Sequence, residues 1–314
     1  MISTDGRLRR FLLLVAPLAL VLAAWSTPAR AQGSESESFD LSAKFTVGDE
    51  QSYTFRTDSK QSMILGANPP QMSGSEVESL MRTRVREVSA EGVATVQFVY
   101  ERMKVKVGSP NGNFEFDSEW PIARDAGNPI APAVRQLVGK TIIAKVAPNG
   151  SLVELQSIDT TGMDPNTART MTELVNPDSF TQLLQLLYGL KTDPSTAAIG
   201  EMWVKESSLP SGMGSMKVTR EFTLESSIAN KAYVNIGGDI ALVIDPSLPK
   251  KPGAEFLEWK SGTVEGRVVW DSQNGRLEKA EVGTEINATD SNPEYQGNIL
   301  TVIITSKSSL TRRI

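Results

Sequence analysis

Three carboxylates at alternate positions are the clearest candidates for chemistry in this chain. Glu115, Asp117 and Glu119 recur at every second residue of the segment FEFDSEW. Alternate side chains of a β-strand point to one face, so a strand here would place all three together. Such a group could ligate Ca²⁺, or supply a carboxylate pair for glycoside cleavage. A solvated strand face of an acidic protein is the favoured interpretation, because alternation alone produces the same spacing.

The chain contains no histidine and no cysteine among its 314 residues. Their absence excludes Ser-His-Asp and Cys-His nucleophilic catalysis, the usual zinc ligand sets and any disulfide bond. The remaining chemistry is that of carboxylates, hydroxyls and lysines, and we expect no cofactor. A carboxylate-dependent glycan hydrolase therefore stays only as a secondary alternative to a protein that is not an enzyme.

A second set of candidate residues lies on a leucine-rich helix. The spacing of apolar residues predicts helix over about 164–190, with a break at Asn176-Pro177 because the residue before a proline resists helix. The apolar stripe of its second half is wider than one sheet face needs. We therefore take its large side chains as candidate ligand-binding residues, with ordinary core packing as the alternative: Phe180, Leu183, Leu184, Leu187 and Tyr188.

The first 31 residues have the layout of a secretory signal. Basic residues at 7–10 precede an apolar run at 11–25, and the small-residue site Ala29-Arg30-Ala31 follows. This order predicts cleavage after Ala31, with an uncleaved anchor as the alternative. The polar segment 32–38 then reads as a flexible linker. We expect an exported protein, periplasmic or extracellular, with no stable membrane anchor after cleavage.

The charge balance narrows the choice of partners. The chain has a formal charge of −5, and without the first 31 residues it keeps 28 basic and 36 acidic residues, a charge of −8. An acidic surface repels nucleic acid and anionic membranes. We therefore expect no nucleic-acid partner, and consider an amphiphile or another envelope protein instead.

A long β-hairpin is predicted over 76–107. Its turn falls at 89–92, and pairing Val88 with Val93 places an apolar set on one face and a polar set on the other. Beyond Glu101 the apolar and polar positions exchange. A one-residue shift of this kind predicts a β-bulge near Glu101–Arg102.

A second hairpin is predicted over 141–158. Its turn is Asn149-Gly150, a strong two-residue hairpin signal. Counting outward from the turn sets three cross-strand pairs, namely Lys145 with Glu154, Val146 with Val153, and Ala144 with Leu155.

These elements predict a β-rich α+β fold. We expect a large curved antiparallel sheet or open barrel, with helices at about 128–139 and 164–190 packed on it. Residues 39–314 would form a single domain, with two similar halves at about 39–160 and 199–314 as a further possibility. The prolonged alternation in the C-terminal half also suggests a strand at 296–307, which could serve as an exposed edge.

The chain resembles a family of exported bacterial proteins that is known only as a domain of unknown function. The likeness rests on early Tyr-x-Phe strands, an Asn-Gly hairpin and a later Gly-Asp/Glu-x-Trp strand opening, with these matching residues: Tyr53, Phe55, Gly139, Asn149, Gly150, Gly200, Glu201 and Trp203. Many members carry a lipoprotein cysteine, which is absent here. The resemblance implies a β-rich exported domain and supplies no activity.

The sequence therefore favours a non-catalytic protein of the cell envelope. We expect its curved sheet to bind an apolar or amphiphilic ligand in its concavity. The alternative is a structural or assembly module that binds a protein partner through strand edges such as 296–307.

Overall fold

A computed structural model describes residues 38–110, 112–156, 165, 175, 177–191, 194–211, 214–244 and 256–313. The predicted secretory signal and residues 32–37 of the predicted linker lie outside these residues. So does the first half of the predicted helix at 164–190, apart from positions 165 and 175.

The described residues form mainly β-strands, together with two α-helices. The strands are β1 (Ser38–Asp40), β2 (Glu50–Leu65), β3 (Gln71–Val88), β4 (Ala94–Ser109), β5 (Gly112–Asp117), β6 (Thr141–Val146), β7 (Leu152–Leu155), β8 (Thr196–Ala198), β9 (Met202–Ser211), β10 (Gly214–Ile228), β11 (Lys231–Ile244), β12 (Leu257–Asp271), β13 (Arg276–Asp290) and β14 (Leu300–Arg313). The helices are α1 (Ala131–Leu137) and α2 (Pro177–Tyr188). None of the described helices is long and apolar enough to cross a membrane.

One twelve-stranded antiparallel sheet dominates the fold. Its strand order is β7-β6-β4-β3-β2-β14-β13-β12-β11-β10-β9, and β5 pairs with β4 beside this path. Strands β1 and β8 form a separate two-stranded sheet. The predicted β-rich fold with a large antiparallel sheet and a few helices is confirmed.

The centre of the sheet is the pairing of β2 with β14. It runs from Leu65 opposite Leu300 to Ser52 opposite Arg313. Because β13 pairs with the other side of β14, this strand is internal. The prediction that 296–307 offers an exposed edge is therefore wrong, and the two ends of the strand order are β7 and β9.

The first predicted hairpin is confirmed over most of its length. Met81 lies opposite Tyr100, and the ladder skips Glu101, which places the predicted bulge there. The register near the turn is wrong by one residue: Val88 lies opposite Ala94, since a second irregularity falls between Val85 and Glu87.

The second predicted hairpin is also shifted near its turn. Lys145 faces Glu154, with 2.7 Å between Nζ and Oε2, and Ala144 faces Leu155 as expected. Val146, however, lies opposite Leu152, because a bulge follows Lys145. Val153 is consequently exposed.

Helix α2 lies against the face of the sheet that carries the hydrophobic core. It begins at Pro177, where the sequence predicts the break, and it contacts β7 and β13. Its Phe180 ring meets Phe98 of β4 edge-on, with 4.9 Å between ring centroids. Helix α1 is shorter than the predicted 128–139, because Val138 is extended and Gly139 has a φ of 80°.

Glycines permit close approach between strands on the core-facing side of β11 and β12. A Cβ atom on Gly238 would lie 2.0 Å from the carbonyl oxygen of Thr219. A Cβ atom on Gly266 would lie 2.3 Å from the carbonyl oxygen of Glu281. Glycines at such positions allow a sheet to bend sharply.

We predict that Gly238→Ala destabilises the protein strongly. The methyl group would collide with the backbone of β10, and the φ of 151° is unfavourable for alanine. We expect a loss of about 2–4 kcal/mol in the free energy of unfolding. Gly237→Ala is the matched control, because nothing lies within 4 Å of a Cβ there. Urea denaturation of both variants measures the effect, and equal stability of the two would contradict it.

Candidate functional site

The site is built on the inner face of the sheet, which we define as the face that packs against α2. Buried side chains at alternate positions mark this face on both halves of the sheet, for example Tyr53, Met81, Phe98, Val218 and Val268. The opposite face is rich in exposed, charged side chains.

The five helix residues predicted to bind a ligand all lie in the core. Phe180, Leu183, Leu184, Leu187 and Tyr188 are each less than 9% exposed. Burial raises the pKa of Tyr188 to about 12, and its hydroxyl forms a hydrogen bond with Thr83 of β3. The structure thus places these residues together on the inner face, and their role in ligand binding stays a prediction.

The three residues that follow α2 are held by β9 and by Glu201, the residue directly before it. Lys205 Nζ donates a hydrogen bond to the carbonyl oxygen of Gly189, and Trp203 Nε1 donates to that of Leu190 at 3.2 Å. Lys191 Nζ donates to the Glu201 carboxylate, and it lies 5.3 Å from the centroid of the Trp203 ring. These contacts fix the end of the helix against one edge strand of the sheet.

The β6–β7 turn meets the end of α2 from the other half of the sheet. A Cβ atom on Gly150 would lie 2.5 Å from the Cα and backbone nitrogen of Gly189. Gly150 also has a φ of 78°, which a glycine adopts without strain. The Asn149-Gly150 turn is therefore both a hairpin turn and a packing contact.

A pair of buried cations, Lys205 and Arg220, is the most unusual feature of the inner face. The two residues lie directly opposite each other on β9 and β10. Lys205 is 8% exposed and Arg220 is 0% exposed. All three guanidinium nitrogens of Arg220 are buried and have no hydrogen-bond partner among the described residues, and no described carboxylate pairs with either cation. Buried charges are ordinarily paired, so this arrangement needs a physical explanation.

Burial makes both positive charges costly. It lowers the pKa of Lys205 to about 7, and the positive charge of Arg220 contributes to the same shift. Burial also lowers the pKa of Arg220, to about 9. Arg220 therefore still carries its charge at neutral pH, whereas Lys205 is close to its titration midpoint.

The buried cationic pair begins a row across the inner face in which every residue but one valine is glycine, threonine or serine. Successive register pairs run from Arg220 to the following residues: Gly238, Val264, Thr284, Ser306, Ser59 and Ser75. Ser59 Oγ donates to Ser306 Oγ at 3.0 Å, and both side chains are buried. The middle of the inner face is thus polar, although leucines and aromatic rings surround it.

Further buried polar atoms of the inner face have no partner among the described residues. They include Tyr53 Oη, Gln61 Nε2, Ser79 Oγ, Ser207 Oγ, Trp270 Nε1 and Thr284 Oγ1. Buried polar groups in proteins are nearly always hydrogen-bonded to protein, water or ligand. These atoms add to the polar character of an otherwise apolar inner face.

The three predicted metal ligands do not form one cluster, although two of them contact the same arginine. β5 ends at Asp117, so Glu119 lies beyond the strand. The sequence predicts instead that Glu119 shares a strand face with the other two carboxylates, and this expectation is wrong. Asp117 pairs with Arg102 at 3.0 Å, Glu119 pairs with the same arginine at 2.6 Å, and Glu115 lies 4.0 Å from a lysine. Among the described residues, no three His, Cys, Asp or Glu side chains are grouped to hold a metal ion.

Glu115 and Asp117 instead line an open trough of about 1050 Å³ that also borders β2, β3, β13 and β14. Its charged side chains pair across neighbouring strands, as in Arg56 with Glu78 at 3.0 Å. The lining of the trough includes Thr57 and Ser308, which lie two residues along their strands from Ser59 and Ser306. Nothing about the carboxylates of the trough supports a glycan hydrolase.

Sequence reasoning missed both members of the buried cationic pair. Val218, Phe222 and Leu224 alternate along β10, and Arg220 occupies the position of this alternation where an apolar side chain is expected. The sequence signal that could have identified Arg220 is therefore a charged residue at a strand position whose neighbours two residues away on both sides are apolar. Lys205 carries no comparable signal, because apolar residues occupy both phases of β9 around it, as Met202 and Val204 in one and Trp203 in the other.

Comparisons with known proteins place the chain in a family but supply no function. A model of a family of unknown function (DUF6263) matches residues 91–276, which is more than half of the chain. The expectation of such a family is confirmed. A search among curated proteins gives no significant match.

Solved structures show only distant likeness. A structure described as lipid-protein interactions in lipovitellin has 14% identity, covers 86% of this chain and gives a TM-score of 0.46. This chain spans only 26% of the lipovitellin chain. OmpT, an outer membrane protein of Vibrio cholerae, has 10% identity over 86% of this chain and 99% of its own, with a TM-score of 0.16. These values are too low to carry a functional argument.

We predict that Lys205 makes stability depend on pH. Its pKa is about 7 in the folded protein and about 10.4 in an unfolded chain, so the unfolded chain binds more protons between these values. The destabilisation is therefore fully present below pH 7 and is relieved as pH rises. The free energy of unfolding should increase with pH, by at most about 1.4 kcal/mol per pH unit from this group.

Urea denaturation from about pH 6 to about pH 9 measures this slope, below the range in which unfolded tyrosine ionises. Lys205→Met should flatten the rise. Lys217→Met is the control, because that lysine is exposed and pairs with Glu206 at 2.9 Å. A rise of equal steepness in wild type and Lys205→Met would contradict the prediction.

Proposed function

The chain belongs to the DUF6263 family of unknown function, and we propose that it is an exported, non-catalytic protein that binds an amphiphilic ligand on the inner face of its sheet. The observation that carries this proposal is the inner face itself. It combines a leucine-rich helix with buried polar atoms that have no partner in the described chain.

The inner face offers both apolar and polar groups to a ligand. Val218 and Phe222 of β10, together with Ile240 of the neighbouring β11, provide buried apolar surface close to the cationic pair. Apolar surface accommodates a hydrocarbon chain, whereas the few polar groups orient the other end of a ligand. An amphiphile has both parts, which a purely apolar ligand lacks.

Export follows from the predicted signal with cleavage after Ala31. A cleaved chain would have no membrane anchor from this segment, so a bound amphiphile would be held by the folded domain alone. We therefore place the protein in the periplasm or outside the cell.

Native mass spectrometry of mature protein, purified gently from an exporting host, tests the proposal. We expect a discrete bound mass that disappears on denaturation and that lipid extraction recovers. A ligand-free mass from such a preparation, together with no binding of added fatty acid or long-chain alcohol, would contradict it.

A pair of variants locates the bound mass. Ser306→Leu places a larger apolar side chain on the inner face, and we expect it to reduce the bound fraction at least several-fold. Thr305→Leu is the matched control, since its side chain points to the opposite face of β14. Circular dichroism confirms that both variants fold.

A further inference from the structure

We propose that Lys205 and Arg220 form the binding site for an anionic head group, a carboxylate or a phosphate, carried by the amphiphile. This inference rests on the proposed function and adds the chemical class of the ligand. It assigns a binding role to two residues that the sequence pattern alone did not single out.

The first step of the argument is the unpaired charge of Arg220. Its side chain is 0% exposed, and its Nε, Nη1 and Nη2 atoms have no hydrogen-bond acceptor among the residues that the structure describes. A guanidinium group offers five N–H donors in a planar fork that matches the oxygens of carboxylates and phosphates. Removing it from water without an acceptor is costly, and an anion that accepts from it would relieve that cost.

The second step is the neighbouring lysine. Lys205 lies opposite Arg220 in the register, and its ammonium donates to the carbonyl oxygen of Gly189. An ammonium group has three N–H donors, so this contact leaves it able to donate elsewhere. Two adjacent cations repel each other, and a shared anion would turn that repulsion into attraction.

The third step is the surroundings, which favour an anion with an apolar tail. Val218 and Phe222 flank Arg220 on the inner face, and both are buried. Across the sheet the register continues through Gly238 and Val264, and neither residue has a side chain that can accept a hydrogen bond. The described neighbours therefore offer apolar contact and no competing carboxylate.

Four probes distinguish the possible ligands. Laurate and dodecyl phosphate carry an anionic head on a twelve-carbon chain, dodecanol carries the same chain without charge, and inorganic phosphate carries the charge without a chain. Isothermal titration and thermal unfolding of delipidated mature protein measure their affinities. We expect wild type to bind the two anionic amphiphiles at least about tenfold more tightly than dodecanol.

The variant Arg220→Met tests the residue. Methionine keeps much of the length of arginine without its charge, so the apolar interior can stay filled. We expect the preference for the anionic probes to fall to about twofold or less, with dodecanol affinity retained. Arg220→Lys should keep a preference, because it keeps a positive charge. Arg267→Met is the control for a general charge effect, since that arginine is 72% exposed on the opposite face of the sheet.

The outcomes separate this inference from the proposed function. Equal binding of anionic and neutral amphiphiles by wild type, or an unchanged preference in Arg220→Met, would overturn the anion site while leaving amphiphile binding intact. Inorganic phosphate binding as tightly as dodecyl phosphate, with loss in Arg220→Met, would support the anion site and overturn the amphiphile. If Arg220→Met does not fold, the comparison of the four probes on wild type still decides between these results.

Discussion

The structure depends on the contacts around the three residues that follow α2. Gly189 packs against the β6–β7 turn at Gly150, while Lys205 and Trp203 of β9 bond to the carbonyl oxygens of Gly189 and Leu190. Strands β7 and β9 are the two ends of the sheet order. The end of one helix therefore meets elements at both ends of a sheet whose middle is joined through β2 and β14.

The contacts at the end of α2 explain the structural role of several residues on which the family resemblance rests. Gly150 leaves room for the helix end, Glu201 pairs with Lys191, and Trp203 stacks on Phe222 with 5.6 Å between ring centroids. Gly200, with a φ of 84°, turns the chain into β9. The Gly-Glu-x-Trp segment and the Asn-Gly turn thus both contact the residues that follow α2, although they come from opposite halves of the chain. Lys205 contacts both this region and the inner face, because its ammonium bonds to Gly189 and the residue lies opposite Arg220.

Sequence reasoning recovers what local periodicity controls. Alternation identified the strands and the buried faces, and the exchange of phase at Glu101 located a bulge. Alternation did not predict the strand register at Arg86 and Val146. Bulges close to the turns shift the pairing there, and the residue types of the strands carry no sign of them. Sequence reasoning also failed for 296–307, since the pairing of β14 with β2 joins distant segments, and no local pattern specifies it.

The candidate site was predicted only in its apolar part. The buried helix residues follow from the width of their stripe, whereas Arg220 contradicts the alternation of its own strand. A charged side chain in an apolar phase is ordinarily assigned to solvent when only sequence is known. Register and burial show instead that it points to the interior, beside a second cation. Functional groups are often found where local sequence rules are violated in this way.

The most direct test of this account is a high-resolution crystal structure of mature protein purified without removal of lipid. The account predicts electron density that does not belong to the chain, with an oxygen within hydrogen-bond distance of the Arg220 guanidinium and an extended apolar part along the inner face. A carboxylate of the protein itself paired with Arg220, with no other density beside it, would contradict the account.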